Sequence, residues 1–201
     1  MDNTHSYNGS LTAEQFLFYE MRIASKMYLE GVTVEDAVER IKKDNLFQYP
    51  TERQVSRLTR ACYKRIEALN NESLVRELAY APNEIAKQIN LYAIMRYNRL
   101  VWEFMVLVIG EKYRNQDFAF SRKDINAFFT RLQAQDDSVS TWSEGTINKI
   151  KSVLIRMLIE TEYLDHKNDT DLNPIFICEE LEQGIRENDD YDALPAFNCF
   201  K

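Results

Sequence analysis

The sequence predicts a mainly α-helical protein whose C-terminal part forms a winged-helix-like unit with a short β-hairpin. Apolar residues recur at helical spacing along most of the 201 residues. Several of these segments begin with a Ser or Thr that is followed three residues later by Asp or Gln, a pattern typical of helix N-termini. Two short β-prone runs, Tyr163–Leu164 and Pro174–Ile177, follow the last long helix, which gives the order of a winged helix.

The longest apolar segment, Glu84–Arg114, predicts a central helix around which the other helices pack. Pro82 stands where a first-turn proline belongs, because an amide at that position has no partner within the helix. From Leu100 to Ile109 nearly every residue is apolar, and Glu103 is the one charge. Ten residues rise about 15 Å as a helix, half the hydrocarbon thickness of a bilayer. We therefore expect a core helix of a soluble protein and no membrane association.

Four helices are predicted before the central one, at residues 12–30, 33–44, 51–69 and 72–80. Thr12, Thr33 and Thr51 are the expected capping residues of the first three, and Gly31 ends the first. An extended joint is expected just before Pro50, because the residue that precedes a proline avoids helical geometry.

The pattern of elements changes after Asn115. Ser121 with Asp124 predicts the start of a helix, SRKDINAFFTRLQAQ, and Ser143 predicts the start of a longer one, SEGTINKIKSVLIRMLIET. A polar loop separates the two helices, and a last short helix is expected at residues 179–187. We therefore divide the chain into a helical N-terminal body at 1–115, a winged-helix-like unit at 116–187 and an acidic, loosely ordered tail at 188–201.

The charge of the chain is unevenly distributed. The net charge is −7. Residues 161–201 hold eleven Asp and Glu against three Lys and Arg, so residues 1–160 are close to neutral. Because of this asymmetry, the acidic total does not exclude nucleic acid as a partner.

Cysteine usage and the N-terminus predict a cytoplasmic location. The three cysteines are odd in number, widely spaced and without metal-ligand pairing, which is typical of a reducing compartment. The first residues, MDNTHSYNGS, lack the basic and apolar regions of a signal peptide.

The sequence offers little for catalysis. Its two histidines are His5 and His166, and it contains no glycine-rich phosphate loop, nucleophile elbow or metal-ligand spacing. We expect a protein that is not an enzyme and that has no cofactor, no metal and no small-molecule substrate.

The strongest candidate site is a basic stripe, defined as Arg53, Arg57, Arg60 and Lys64. Steps of four, three and four residues place these side chains on one side of the helix that follows Thr51. Like charges one turn apart cost a few tenths of a kcal/mol per pair. An anionic partner would offset that cost, and either DNA phosphates or an acidic protein surface would serve. A solvated face paired with acidic residues from elsewhere in the chain is the third interpretation.

A second candidate surface lies in the C-terminal unit. Thr146, Lys149 and Lys151 occupy outward positions of the helix after Ser143, as in a recognition helix that contacts bases or phosphates. Arg122 and Lys123 stand at a helix N-terminus, where free amides favour an anion. The alternative interpretation is an ordinary amphipathic helix.

Several stretches resemble the BrxA-like proteins of bacterial BREX phage-defence systems. The matching stretches are YNGSLTAEQFLFYEMRIASKMYLEGVTVEDAVERIKKDNLFQYPTERQVSRLTRACYKRIEAL, INLYAIMRYNRLVWEFMVLVIGEKY and TWSEGTINKIKSVLIRMLIETEYL. The resemblance implies a cytoplasmic accessory component whose helical body is like that of the antitermination factor NusB. It also implies that this component binds DNA without enzymatic activity. It supplies no established catalytic positions, so the site residues above rest on charge patterns.

The leading hypothesis is therefore a non-enzymatic accessory protein that binds double-stranded DNA through backbone phosphates and works with other BREX components. The alternative is an interaction scaffold whose basic stripe docks an acidic partner. RNA binding, by analogy with NusB, is a third possibility, although likeness of fold does not transfer function.

Overall fold

The computed structural model describes residues 6–200, so residues 1–5 and 201 lie outside it, and it confirms a mainly helical protein. Within that range eleven α-helices form: α1 (Phe18–Leu29), α2 (Val34–Lys43), α3 (Glu52–Leu69), α4 (Glu72–Tyr80), α5 (Asn83–Tyr97), α6 (Arg99–Phe104), α7 (Glu111–Arg114), α8 (Arg122–Gln135), α9 (Asp137–Ser140), α10 (Glu144–Glu160) and α11 (Glu179–Glu187). A π-helical turn at Met105–Gly110 joins α6 to α7, and 3-10 helices form at Ser10–Thr12 and Tyr191–Phe197.

Most of the predicted helix starts are confirmed, since local side chains make them. The Thr33 hydroxyl accepts a hydrogen bond from the Asp36 amide, and Thr51 accepts one in the same way at the start of α3. Ser121 and Asp124 form the reciprocal capping box at the start of α8. The Ser143 hydroxyl accepts a 3.1 Å hydrogen bond from an amide in the first turn of α10.

The first helix starts later than predicted. Thr12 ends a 3-10 turn, and α1 begins at Phe18 after Leu17, which adopts the left-handed conformation with φ 51°. The buried Arg65 guanidinium donates hydrogen bonds to the carbonyls of Glu14 and Gln15. Those carbonyls are therefore engaged by a distant side chain, and this segment stays non-helical.

The central helix predicted at Glu84–Arg114 is interrupted. Asn98 is extended, with φ −125° and ψ 108°, and its side chain accepts hydrogen bonds from the amides of Leu100 and Val101. Asn98 thus ends α5 and caps α6, as asparagine commonly does at helix starts. The predicted single helix is wrong at this point, although the segment is the core element that was expected.

The one charge in the apolar segment is neutralised. The Glu103 carboxylate accepts hydrogen bonds from Arg99 Nε at 2.8 Å and from the Tyr7 hydroxyl at 2.6 Å. The Arg99 guanidinium also lies 4.3 Å from the centre of the Tyr7 ring. The hydrogen bond to Glu103 raises the pKa of Arg99. Tyr7 therefore pairs with a carboxylate that lies 96 positions later in the chain.

The predicted β-hairpin is absent from residues 6–200, where the β pairing is one isolated bridge between Ala119 and Asp171. Tyr163 lies just after α10, where its amide donates to the Leu158 carbonyl, and its buried hydroxyl donates a 2.9 Å hydrogen bond to the Ala196 carbonyl. Phe176 lies in a loop with 82% of its surface exposed, and its carbonyl accepts a hydrogen bond from Gln88. The hairpin prediction is therefore wrong. The winged-helix-like and NusB-like architectures stay predictions.

Residues 188–200, expected to be loosely ordered, are packed against the rest of the protein. Their 3-10 helix contacts the π-helical turn and buries Leu194 and Phe197. Gly110 allows this close approach, since a Cβ there would lie 3.1 Å from the Ala196 nitrogen. The buried Asp190 carboxylate accepts hydrogen bonds from Arg96 at 2.6 Å and from the Tyr92 hydroxyl at 2.7 Å. Specific polar contacts therefore hold the acidic segment in place.

One apolar core includes side chains from both predicted domains and from the predicted tail, among them Leu11, Phe104, Phe128, Leu154 and Phe197. A smaller cluster lies beneath α3 and contains Ile41, Phe47, Val55 and Leu58. The boundary between the two predicted domains stays a prediction. Across residues 6–200, no helix combines the length and the apolar character needed to cross a membrane.

We predict that Gly184→Ala lowers the stability of the protein. A Cβ at Gly184 would lie 2.5 Å from Leu74 Cδ1, so α11 could no longer pack closely on α4. Overpacking of this kind costs about 1–3 kcal/mol, which exceeds the helix-propensity gain of about 1 kcal/mol. Urea denaturation would measure the change in the free energy of unfolding.

Gly145→Ala is the matched control for Gly184→Ala, because a Cβ there meets its nearest neighbour, Ser143 Oγ, at 3.9 Å. That variant should be unchanged or slightly more stable. Adding Leu74→Ala to Gly184→Ala should reduce the penalty of the glycine substitution. Equal stability of Gly184→Ala and the wild type would contradict the close packing of α11.

We predict that Asp190→Asn destabilises the protein by about 3 kcal/mol, since it leaves the guanidinium of Arg96 without its buried counter-charge. Asp192→Asn, an exposed substitution in the same segment, should change stability by about 0.5 kcal/mol or less. Thermal and urea unfolding would compare the two variants. Similar unfolding curves for both would show that the Asp190 pair does not anchor the C-terminal segment.

Candidate nucleic-acid interface

Helix α3 presents the basic stripe because its opposite face is buried. Val55, Leu58, Cys62 and Ile66 are buried along α3, which packs against α1, α2 and α5. The four stripe residues are therefore directed to solvent, and all four are exposed, as their spacing predicted: Arg53, Arg57, Arg60 and Lys64.

Three of the four stripe cations have no acidic partner within 4.0 Å among residues 6–200; these are Arg53, Arg57 and Lys64. Arg60 lies 3.9 Å from Glu35, and half or more of each side chain is exposed. An ion pair in such a setting contributes about 0–1 kcal/mol. Within the described residues, neutralisation of the stripe by the chain's own carboxylates is thus limited to Arg60. The twelve residues from Arg53 to Lys64 rise about 16 Å along the helix.

Arg65, which follows the stripe in sequence, has a different role. Its side chain is 1% exposed, and its guanidinium donates to backbone carbonyls of the segment before α1, at 2.8 Å for Gln15. Burial lowers the pKa of Arg65. Its neighbour Cys62 is also buried, which raises the pKa of that thiol to about 12. Arg65 therefore holds the N-terminal segment in place and is not part of the stripe.

The residues of the second predicted surface differ in their contacts. Arg122, Lys123 and Lys149 are exposed, and none has an acidic partner within ion-pair distance in the described part of the chain. Lys151 is half-buried; its Nζ donates a 2.8 Å hydrogen bond to Asn126 Oδ1 and lies 5.4 Å from the centre of the Phe129 ring. Lys151 therefore bridges α10 to α8.

Thr146 takes part in capping. Its hydroxyl lies 2.9 Å from the Ser143 hydroxyl, and its amide donates to the same Ser143 oxygen. The side chain is half-buried at the start of α10. This arrangement leaves Thr146 poorly placed for contact with a base edge.

Between α8 and α10 lies a groove of about 640 Å³, which we call the α8–α10 groove. Ile125, Ile155 and Ile159 supply its apolar surface. Four basic side chains also line it: Arg122, Lys151, Arg156 and Lys167. No Asp or Glu is among the residues that line this groove.

The sequence analysis missed this groove. Ile155 and Ile159, four residues apart, are half-buried on the outer side of α10, next to the polar positions that were assigned to a recognition helix. An apolar pair on an otherwise polar helix face was the available signal. Lys167 could not be assigned from the sequence, because its segment was predicted as a hairpin.

Arg156 lies between the α8–α10 groove and α3. This side chain lines the α8–α10 groove and also a second cavity of about 400 Å³, which α3 lines through Gln54 and Leu58. Arg156 Nη1 donates a 2.9 Å hydrogen bond to Gln15 Oε1. Glu20 and Glu160 also line the second cavity, so it is not a basic site.

The acidic loop that follows α10 is held by hydrogen bonds within the loop. The Asp169 carboxylate accepts hydrogen bonds from the amides of Asp165 and His166, at 2.8 Å and 2.6 Å. His166 is exposed, and its Nδ1 lies 4.0 Å from Asp169. In the described residues, no three His, Cys, Asp or Glu side chains are grouped to hold a metal ion.

The fold and this site together define a helical protein that exposes basic residues on α3 and around α8 and α10. A family model described as BrxA matches residues 5–189. A BREX protein BrxA from Bacillus cereus (strain H3081.97) is 32% identical over 161 residues, which cover 80% of each chain. A BREX protein BrxA from Paramagnetospirillum magneticum (strain ATCC 700264 / AMB-1) is 24% identical over 173 residues, or 85% of each chain.

The fold has also been observed experimentally. The crystal structure of an uncharacterized protein from Magnetospirillum magneticum superposes with a TM-score of 0.81 at 22% identity, covering 95% of this chain and 97% of the other. The chain therefore belongs to the BrxA family, a component of BREX phage-defence systems, as its sequence resemblance indicated.

Proposed function

We propose that this chain is a non-enzymatic accessory protein that binds duplex DNA within a BREX phage-defence system, mainly through backbone phosphates. The observation that carries the proposal is the stripe on α3, where Arg53, Arg57 and Lys64 are exposed and lack acidic partners in the described residues. Unneutralised like charges on one helix face disfavour the free protein slightly, and a polyanion removes that cost.

The dimensions of the stripe suit a DNA backbone. One strand rises about 3.4 Å per nucleotide along the duplex axis, so the stripe of about 16 Å runs past about five phosphates. Guanidinium groups bind phosphate oxygens through paired hydrogen bonds, which two of the three free cations can offer. Phosphate contacts carry no sequence information, so we expect little discrimination between sequences.

The second surface supports a further phosphate contact. Lys149, Arg122 and Lys123 are exposed and available, whereas Lys151 is engaged with Asn126 and the Phe129 ring. The engagement of Thr146 in capping argues against base readout at the start of α10. This surface would thus add affinity and contribute little specificity.

We predict that Arg57→Glu weakens binding to a labelled 20-base-pair duplex by about tenfold or more at low salt, because it replaces a phosphate contact with a repulsive charge. Arg76→Glu is the matched control. It makes the same change in net charge at another exposed helical arginine, whose partner is Glu72 on α4. That variant should bind within about twofold of the wild type. Fluorescence anisotropy would measure both dissociation constants, after circular dichroism confirms folding.

Two outcomes would contradict the assignment. If both variants weaken binding equally, the contribution comes from overall charge and not from the stripe. If the wild type does not bind duplex DNA at low salt, the partner of the stripe is instead an acidic protein surface, as the scaffold hypothesis holds. A parallel titration with single-stranded RNA of the same length would test the RNA hypothesis.

We also predict that Lys149→Glu weakens DNA binding by a smaller factor than Arg57→Glu, and that the two effects multiply in the double variant. Residues on separate helices without shared partners contribute nearly additive free energies. Unchanged binding in Lys149→Glu would remove the C-terminal surface from the interface and leave the stripe as the sole contact. The same anisotropy titrations provide the comparison.

A further inference from the structure

The α8–α10 groove combines two properties that the DNA-binding proposal does not use. Half-buried isoleucines form part of its surface, and basic side chains surround them without any lining carboxylate. The four cations, Arg122, Lys151, Arg156 and Lys167, also form no ion pair within 4.0 Å inside residues 6–200. No ion pair within the described chain therefore neutralises these cations, and Ile155 and Ile159 are only half-buried.

We propose that this groove binds an acidic amphipathic helix of a partner protein, one whose apolar side chains alternate at helical spacing with Asp or Glu. A groove between two helices is a common receptor for a third helix that lays its apolar face into it. Ile155 and Ile159 would contact the apolar face of the incoming helix. The surrounding cations would pair with its carboxylates, which selects against basic or neutral helices.

The chemistry of the groove favours a peptide over DNA. A DNA backbone presents phosphates and sugars, so contact with isoleucine side chains adds little binding free energy. It would also leave the apolar surface of those isoleucines in contact with water. An acidic amphipathic helix satisfies both features together. Lys151 is held by Asn126 and the Phe129 ring, so one of the groove's charges is fixed in position before a partner arrives.

This inference is independent of DNA binding by α3, and one pair of variants separates the two. Ile155→Asn and Ile159→Asn, combined, remove the two half-buried isoleucines of the groove and leave every cation in place. We expect this double variant to bind DNA like the wild type and to lose the peptide. Leu107→Asn is the control, since it makes the same change at an exposed aliphatic residue outside the groove.

The probe is a peptide array that tiles the other proteins of the same BREX system in overlapping segments of about 15 residues, enough for four helical turns. The fluorescently labelled full chain would be applied in its wild-type form, as the double isoleucine variant and as Leu107→Asn. Dissociation constants of the bound peptides would then be measured in solution.

The proposal expects the wild type to bind a small set of net-acidic segments with apolar residues at i, i+3 or i+4 spacing. The double isoleucine variant should bind them about tenfold more weakly or worse, while Leu107→Asn binds normally. Circular dichroism and thermal unfolding would show that all three proteins are folded. Arg122→Glu with Lys167→Glu should weaken the same peptides with the isoleucines intact.

Three results would overturn the proposal. The first is an array with no bound segment, and the second is a set of bound segments without net negative charge. The third is a double isoleucine variant that keeps its peptides but loses DNA, which would assign the groove to DNA. Failure of DNA binding by the wild type would leave the peptide result unaffected.

Discussion

The burial of the central apolar segment constrains the rest of the structure. Residues 89–110, from the second half of α5 to the π-helical turn, are mostly buried, so other elements must cover them on most sides. Helices α3, α4 and α11 cover α5, and the C-terminal 3-10 helix covers the π-helical turn. Two carboxylates that this burial encloses form ion pairs, Glu103 with Arg99 and Asp190 with Arg96.

This packing explains why the charged surface lies where it does. Helix α3 packs its apolar residues against α1, α2 and α5. Its basic residues lie on the opposite side of the helix and therefore face solvent. In the acidic C-terminal segment, the Asp190 carboxylate binds Arg96 and Tyr92. Among residues 6–200, no carboxylate of the C-terminal segment lies within ion-pair distance of the stripe.

Features set by neighbouring residues were predictable from the sequence. The starts of α2, α3, α8 and α10 follow from caps whose donors and acceptors lie within three residues, and the exposure of Arg57 follows from helical period. Features set by distant contacts were not. Arg65 holds carbonyls about fifty positions earlier, and Tyr163 is drawn into the core by Ala196 and not into a strand. The α8–α10 groove depends on how two helices pack, which their separate periodicities do not encode.

The central claim is that the α3 stripe and its neighbours neutralise DNA phosphates. The measurement that tests it most directly is the dependence of the duplex-DNA dissociation constant of the wild-type chain on salt concentration. Four neutralised phosphates predict that the logarithm of the association constant falls against the logarithm of salt with a slope of about −3.6. A slope near zero, or no binding at low salt, would contradict the claim.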